Sequence, residues 1–346
     1  MKKKGLCGVA VCMAAVSLWG CGKQQPEKIE KGRIGVACYN ERDTFINALV
    51  ESFKEQMSQY EKQGFKAEVT VTDAGGMQRS QDDQVKEMIT AGCDVLCVNL
   101  VDRTDPSEII DLAREKDVPI IFFNREPVAE DMLQWNGLYY VGAYAEQSGI
   151  MQGELAAEAI EKNDKIDKNK DGKIQYAVLE GEPGHQDAII RTENAVDTMK
   201  KKGIKMEKIS YGIANWSRAQ AQNRMLQMIS QYPNKIELVL ANNDDMILGA
   251  LDAYEKLNLT ETSVPVFFGI DGTDQGLEAL REGKIAGTVY NDKEGQAKAM
   301  AQLAVALITG EGLDEISFEN EKYIYLPYTK VTSENVKDFI GKSEKN

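Results

Sequence analysis

The strongest constraint on this fold is a regular alternation of short β-rich runs with amphipathic stretches, which begins at Arg33. Ten runs rich in β-branched and aromatic residues predict two sets of five strands: 33–39, 67–72, 95–100, 118–124 and 138–143, then 174–181, 208–212, 236–243, 264–271 and 286–291. The stretches between them predict helices, for example 44–63, 146–162, 188–202 and 293–308. This alternation predicts an α/β fold with two parallel sheets covered by helices on both faces.

The length and net charge of the chain limit its number of domains and its expected partners. A chain of 346 residues is long enough for two domains. Its net charge is −14, and it has no long basic run. Nucleic acid is therefore not an expected partner.

The N-terminus reads as an export signal over residues 1–20. Three lysines at positions 2–4 precede an uncharged stretch that is shorter than the roughly twenty residues of a membrane span. L-W-G-C (18–21) resembles the lipobox of bacterial lipoproteins, which implies cleavage before Cys21 and lipidation of that residue. The alternative is a non-lipidated signal with a cysteine nearby. With a polar tether at 21–32, the chain is expected outside the cytoplasm, lipid-anchored to the outer face of the bacterial cell membrane.

Three cysteines remain beyond this segment: Cys38, Cys93 and Cys97. An odd number argues against a disulfide framework. Cys93 and Cys97 would lie about 13 Å apart in an extended strand, beyond the roughly 7 Å that a disulfide spans. We expect buried free thiols.

Polar residues recur where the predicted strands end, which is where open parallel sheets bind ligands. They are Asp43, Asn124, His185, Asp187, Asn243, Asp271 and Asn291, and Arg191 adds charged donors. Two aromatic residues, Phe45 and Trp216, follow strands at the same edge. The alternatives are helix capping for the polar residues and core packing for the aromatic ones.

These residue types suit a neutral, polyhydroxylated ligand. Carboxylates and amides hydrogen-bond several hydroxyls at once, and aromatic rings pack against the C–H faces of a sugar. Enzyme signatures are missing: the sequence has no phosphate-binding loop, nucleophile elbow or dinucleotide fingerprint, and it contains one histidine. We therefore expect a binding protein and not an enzyme.

A second motif, D-K-N-K-D-G-K-I-Q (167–175), matches the first nine positions of an EF-hand calcium loop. Its side-chain ligands would be Asp167, Asn169, Asp171 and Gln175, and Lys173 would contribute its backbone carbonyl. Position twelve, which needs a bidentate glutamate, is occupied by Val178. The last carboxylate must therefore come from another segment.

Sequence offers Glu180, Glu182 or Glu237 for that role. Glu180 would lie about 16 Å beyond Gln175 along a strand, and Glu182 further still. Glu237 opens the predicted strand 236–243, which could run parallel beside strand 174–181 from the same end. We expect a structural Ca²⁺ held jointly by Asp167 and Glu237.

Five motifs together identify a resemblance to the periplasmic galactose/glucose-binding proteins, a branch of the sugar-binding proteins of ABC transporters. They are V-P-I-I-F-F-N-R-E-P (118–127), the calcium loop, G-E-P-G-H-Q-D-A-I-I-R-T (181–192), I-E-L-V-L-A-N-N-D (236–244) and A-G-T-V-Y-N-D (286–292). The resemblance spans about 33–331. It implies two Rossmann-like lobes joined by a three-segment hinge, the type I periplasmic binding protein fold. The lobes would be 33–142 plus 292–326 and 144–290 plus 328–346.

The same resemblance implies that one monosaccharide, D-galactose or D-glucose, contacts all the strand-end residues named above. Phe45 and Trp216 would sandwich its ring, and Asp43 would accept either epimer at O4. It also implies a monomer that delivers sugar to an ABC transporter permease, and a Ca²⁺ site that includes Glu237. Three residues depart from the family pattern: Thr44, Arg125 and Gln186.

Two other functions use the same lobes. A sensor module would report sugar to a membrane receptor or kinase without transporting it. A transcription repressor would carry a DNA-binding segment where this chain has its export signal.

Overall fold

The structure is a computed structural model that describes residues 31–259 and 263–341. The predicted export signal, the lipidation site Cys21 and the tether up to residue 30 lie outside the described residues. Within the described part, the chain builds two parallel sheets and one antiparallel strand pair. The predicted α/β class with parallel sheets is confirmed.

The first lobe contains a six-stranded sheet in the order β11-β5-β4-β3-β1-β2, with all neighbouring strands parallel. Its strands are β1 Lys31–Cys38, β2 Lys66–Asp73, β3 Val95–Val98, β4 Ile120–Phe123, β5 Leu138–Ala143 and β11 Tyr323–Leu326. Because β1 begins at Lys31, the last two residues of the predicted tether, Lys31 and Gly32, belong to the sheet.

The second lobe contains a four-stranded parallel sheet in the order β7-β6-β8-β9. Its strands are β6 Ile174–Glu180, β7 Met206–Ile213, β8 Leu238–Ala241 and β9 Val266–Phe268. β10 (Thr288–Asn291) and β12 (Tyr328–Val331) form the antiparallel pair. Isolated parallel bridges, Phe268 to Gly287 and Asp271 to Tyr290, place β10 next to β9.

The prediction of five strands per sheet was wrong because it omitted β11 and β12. Both are four residues long, and Pro327 separates them. One pairs with β5 in the first lobe and the other with β10 in the second, so the chain changes lobes at this proline. A short run broken by proline has weak periodicity, and only pairing with other strands gives it a structure.

Ten α-helices cover the sheets in the described part of the chain: α1 Thr44–Lys62, α2 Gln78–Thr90, α3 Ser107–Glu115, α4 Ala129–Met132, α5 Ala145–Lys162, α6 Gln186–Lys201, α7 Arg218–Gln231, α8 Asp244–Lys256, α9 Asp274–Arg281 and α10 Lys293–Thr309. Asp43, His185 and Asn243 precede α1, α6 and α8, and each accepts a hydrogen bond from a backbone N–H of the helix that it caps. The polar residues at the strand ends therefore also fix the helix starts.

Each sheet has apolar clusters on both faces, which is why its central strands, such as β3, β4 and β8, are hydrophobic throughout. The chain returns from the second lobe in α10, which packs against the first core through residues such as Ala297, Ala301 and Leu303. Cys38, Cys93 and Cys97 are free and buried, as predicted. None of the helices in residues 31–259 and 263–341 has the length and apolar composition that a membrane span requires.

Candidate ligand-binding site

A cavity lies between the carboxyl ends of the two sheets. Loops and helix starts of the first lobe contribute Tyr39, Asp43, Phe45, Asn124 and Arg125, and those of the second lobe contribute His185, Asp187, Arg191, Trp216, Asn243 and Asp271. Nine of the ten residues predicted to bind sugar therefore line a single cavity.

Both oxygens of Asp43 are held in place. Oδ1 accepts a hydrogen bond from the Ile46 backbone N–H at 3.0 Å, and Oδ2 accepts one from the Tyr39 hydroxyl at 2.5 Å. Each carboxylate oxygen keeps a second lone pair. Asp43 can therefore accept a ligand hydroxyl in a preset orientation.

Asn124 has a left-handed backbone (φ 60°) at the end of β4, which turns its side chain towards the cavity. Its Oδ1 accepts a hydrogen bond from Asn99 Nδ2 at 3.2 Å, and its backbone carbonyl accepts one from the Tyr140 hydroxyl at 2.9 Å. The Asn124 amide nitrogen is therefore directed to donate to a ligand.

His185 is held in its neutral form. Burial, together with the nearby Arg125 and Arg191, lowers its pKa to about 2. Its Nδ1 accepts a hydrogen bond from the Asp187 backbone N–H at 3.2 Å, which leaves the proton on Nε2. The imidazole can thus donate one neutral hydrogen bond to a ligand.

Arg191 lies between two carboxylates of the cavity wall, the half-buried Asp187 and the buried Asp271. Its guanidinium is 3.8 Å from Asp187 and 3.6 Å from Asp271, and it donates to the Asn242 carbonyl at 2.8 Å and to the Tyr328 hydroxyl at 3.0 Å. Burial raises the pKa of both carboxyl groups, and Arg191 opposes that rise. The Nε of Arg191 is buried without a hydrogen-bond partner in the structure, so it is a candidate ligand donor.

The second lobe places Trp216 on the cavity wall through a left-handed backbone (φ 61°). Its ring lies edge-on to His185, with centroids 5.0 Å apart, and a side chain on Gly181 would collide with it at 2.2 Å. Asn243 donates to the Trp216 carbonyl at 3.3 Å. Phe45 is buried in the first turn of α1, on the opposite lobe. The cavity thus has one aromatic wall from each lobe.

Asn291 is the predicted site residue that does not line this cavity. It is buried, and its Oδ1 accepts a hydrogen bond from Gln296 Nε2 at 2.7 Å. Its side chain also hydrogen-bonds Asp271, which opposes the rise in that carboxyl pKa. Because both groups of its amide are used within the protein, the structure places Asn291 behind Asp271.

Tyr39 and Arg125 line the cavity, and sequence reasoning did not include them among the binding residues. Tyr39 falls inside a predicted strand and reads as core. Arg125 directly follows Asn124 at the end of β4, and this position at a strand end could have identified it as a cavity residue.

The predicted calcium loop lies far along β6 from the cavity, at the amino end of that strand. β8 runs parallel beside β6, with Tyr176 opposite Leu238, as the sequence predicted. Glu237 therefore meets the loop: its carboxylate accepts backbone N–H groups of Lys168 at 2.6 Å and Gln175 at 3.0 Å.

Other members of the predicted metal set converge on the same point. Asp171 Oδ2 accepts the Gln175 amide at 3.0 Å and the Asn169 amide at 3.3 Å, and Asp167 accepts the Gly172 N–H at 2.9 Å. Within the described residues, no three His, Cys, Asp or Glu side chains are grouped closely enough to form a metal site by themselves. A loop of this kind takes half of its oxygen ligands from side-chain amides and a backbone carbonyl. The residue types present here, and their closeness in the structure, therefore suit Ca²⁺.

Residues 34–312 match the model of the family described as periplasmic binding protein domain. The chain belongs to this family. It is thus an extracytoplasmic solute-binding protein by family, and such proteins bind their solutes without transforming them.

Curated relatives agree on the family and differ in the solute that they are named for. The chain is 34% identical to the D-galactose/methyl-galactoside binding periplasmic protein MglB of Haemophilus influenzae, across 89% of this chain and 92% of the relative. It is 30% identical to a putative rhizopine-binding protein of Rhizobium meliloti, across 83% of this chain and 87% of the relative.

Solved structures repeat the two-lobed fold. An ABC transporter solute binding protein from Bacillus halodurans with bound myo-inositol superposes with a TM-score of 0.75 at 29% identity, covering 91% of this chain and 99% of that one. A protein from Actinobacillus succinogenes with bound D-allose has a TM-score of 0.74 at 21% identity, covering 89% and 99%, and shows the fold alone.

Proposed function

We propose that this protein binds a monosaccharide, D-galactose or D-glucose, in the cavity between its lobes and delivers it to an ABC importer. The observation that supports this most is the composition of the cavity wall. It combines hydrogen-bonding groups from both lobes with an aromatic residue on each side. A hexose has the same two kinds of surface, hydroxyls around its rim and C–H groups on its faces.

The polar groups match a neutral ligand. Asp43, Asp187 and Asp271 accept hydrogen bonds, while Arg191, Asn124 and His185 donate them. The positive charge of Arg191 is already balanced by Asp187 and Asp271, at 3.8 and 3.6 Å. An anionic ligand would face three carboxylates, so a neutral polyol is favoured.

The proposed mechanism is closure of the lobes about the three segments that connect them. A sugar bound to one lobe contacts the half of the cavity wall that this lobe provides. Closure then brings the residues of the other lobe into contact with the same sugar. Binding energy from the second lobe then stabilises the closed form, which is the form that a permease recognises.

We further propose a structural Ca²⁺ held by Asp167, Asn169, Asp171, Gln175, Glu237 and the backbone carbonyl of Lys173. The convergence of these residues at the junction of the loop with β6 and β8 supports it. When bound, the ion would neutralise the carboxylates there and tie the loop to the sheet.

We also propose that cleavage before Cys21 and lipidation of that residue anchor the protein at the outer face of the cell membrane. This rests on the sequence of residues 1–21. Mass spectrometry of the protein from membranes would test it, because acylation changes the mass of the N-terminal peptide.

Titration calorimetry with D-galactose, D-glucose, D-allose and myo-inositol tests the ligand. Saturable binding of galactose or glucose, tighter than of the other two, is expected. Preference for myo-inositol would replace the proposed sugar with another polyol, and no heat with any of the four would overturn the proposal.

A further inference from the structure

Arg125 is in contact with both lobes and with the wall of the cavity. It is 5% exposed and follows β4 in the first lobe. Its Nη1 donates to the Val101 carbonyl at 2.8 Å in the same lobe, and its Nη2 donates to Glu182 Oε2 at 3.0 Å. Glu182 belongs to the loop after β6, so this ion pair bridges the lobes.

The same guanidinium covers a residue of the cavity wall. Its carbon lies 3.6 Å from the centroid of the Tyr39 ring, which is close enough for a cation–π contact. The Tyr39 hydroxyl in turn donates to Asp43. A continuous series of contacts therefore runs from Glu182 through Arg125 and Tyr39 to Asp43.

Within this series, the contact between Arg125 and Glu182 is the one that joins the two lobes, and the others lie within the first lobe. Arg125 keeps the Val101 carbonyl, and Asp43 keeps the backbone of α1. The contact to Glu182 depends on the distance between the lobes. A further hydrogen bond away from the connecting segments, from Thr44 Oγ1 to Asp245 Oδ2 at 2.6 Å, also crosses between them.

We propose that Arg125 is a positioning residue whose ion pair with Glu182 forms when the lobes close and holds Tyr39 and Asp43 in the orientation that receives the ligand. The role of Tyr39 and Asp43 in receiving the ligand rests on the proposed binding function. The ion pair of Arg125 with Glu182, called the latch below, concerns closure of the lobes and is measurable without a ligand. A charge-assisted hydrogen bond that is largely removed from water is strong. Removing one partner is costly, because the other charge is then left without a counter-charge.

Closure without ligand is measured by cross-linking. Thr44→Cys with Asp245→Cys places two thiols across the mouth of the cavity, where the native side chains hydrogen-bond. In the full chain, mild oxidation should close this disulfide several-fold more slowly once Glu182→Gln is added. Either cysteine alone is the background control.

The matched control is Glu180→Gln, two residues away, whose carboxylate accepts hydrogen bonds from Thr192 and Tyr211 within its own lobe. Glu180→Gln should leave the cross-linking rate unchanged. Equal rates for Glu180→Gln and Glu182→Gln would overturn the latch.

Binding provides the second measurement. Glu182→Gln should weaken galactose and glucose binding by a similar factor, about three- to tenfold, because it acts on closure and touches neither sugar. Glu182→Asp should restore part of the loss, because it keeps a carboxylate that can pair with Arg125. Unchanged affinity, or a loss confined to one epimer, would overturn the positioning role.

The two proposals fail separately. If cross-linking depends on Glu182 while no sugar gives heat with the wild type, the latch stands and the sugar assignment falls. If the wild type binds sugar and Glu182→Gln matches it in both assays, the sugar assignment stands and the latch falls.

Discussion

At the scale of single residues, the cavity is built from side chains that serve both the fold and the ligand. Asp43, His185 and Asn243 each cap a helix with one atom and keep another for the cavity. The helix-cap reading of the sequence is thus confirmed for these residues, and the binding reading, which is compatible with it, stays a prediction. Fixing one atom to a helix limits the rotamers of the side chain, so the other atom is preorganised for a ligand.

Trp216 is the residue for which we expect the largest loss of binding. Trp216→Ala removes one aromatic wall and should weaken sugar binding about tenfold or more. Titration calorimetry measures the loss. Trp135→Ala is the matched control, because Trp135 packs at the edge of a first-lobe core cluster away from the cavity. Similar affinities for the two variants would contradict the assignment of Trp216.

His185 gives a pH prediction that needs no resonance assignment, because the chain has one histidine. Its pKa of about 2 in the folded chain lies below the value of about 6.5 expected on unfolding. The unfolded chain therefore takes up the proton first, and the free energy of unfolding should fall as the pH drops below about 6.5. The imidazole NMR chemical shift of the folded chain should stay at the value of the neutral form down to pH 5.

The size of this effect is about 1.4 kcal/mol per pH unit below that point. His185→Asn keeps a cap acceptor and loses the titration, so it isolates the histidine from Asp187 and Asp271, whose raised pKa values act with the opposite sign. Parallel stability curves for wild type and His185→Asn between pH 7 and 5 would contradict the prediction.

At the scale of elements, the sequence predicted the strands with clear hydrophobic runs and the helices with long amphipathic stretches. α1, α5 and α10 begin and end within one residue of their predicted limits. β11 and β12 could not be found this way, because four-residue strands beside a proline acquire their pairing from partners distant in sequence.

The pairing of β6 with β8 determines which glutamate lies beside the predicted calcium loop. It brings Glu237 to the loop, whereas Glu180 lies at the far end of β6, bonded to Thr192 and Tyr211. Calcium should raise the thermal unfolding temperature of the wild type and of Glu180→Gln, by mass action on the folded state. Glu237→Gln should lose most of that rise.

Differential scanning calorimetry with Ca²⁺ and with chelator provides this measurement without any sugar. A rise in Glu237→Gln as large as in the wild type would remove Glu237 from the site. A rise lost in Glu180→Gln and kept in Glu237→Gln would move the last ligand to the end of β6.

At the scale of the whole molecule, the sequence predicted that two sheets meet at one ligand, but not which side chains meet each other there. Strand ends locate loops, and parallel sheets collect those loops at one edge. The contact of Arg125 with Glu182 depends on how the two lobes face each other, whereas the contact of Arg125 with Tyr39 and the place of Asn291 behind Asp271 depend on packing within one lobe. Arg125 and Glu182 are 57 positions apart in the sequence. No sequence pattern indicates that two residues so far apart are in contact.

Because the cavity draws its wall from both lobes, a bound sugar should couple their unfolding. At a galactose concentration 100 times Kd, the free energy of unfolding should rise by about 2.7 kcal/mol. The rise should apply to the molecule as a unit, since neither lobe alone completes the site. Calorimetry should therefore show one transition that shifts upward with galactose, and Asp187→Ala should shift much less at the same concentration. A ligand held by one lobe would raise the transition of that lobe and leave a second transition in place, which would contradict a site shared between the two.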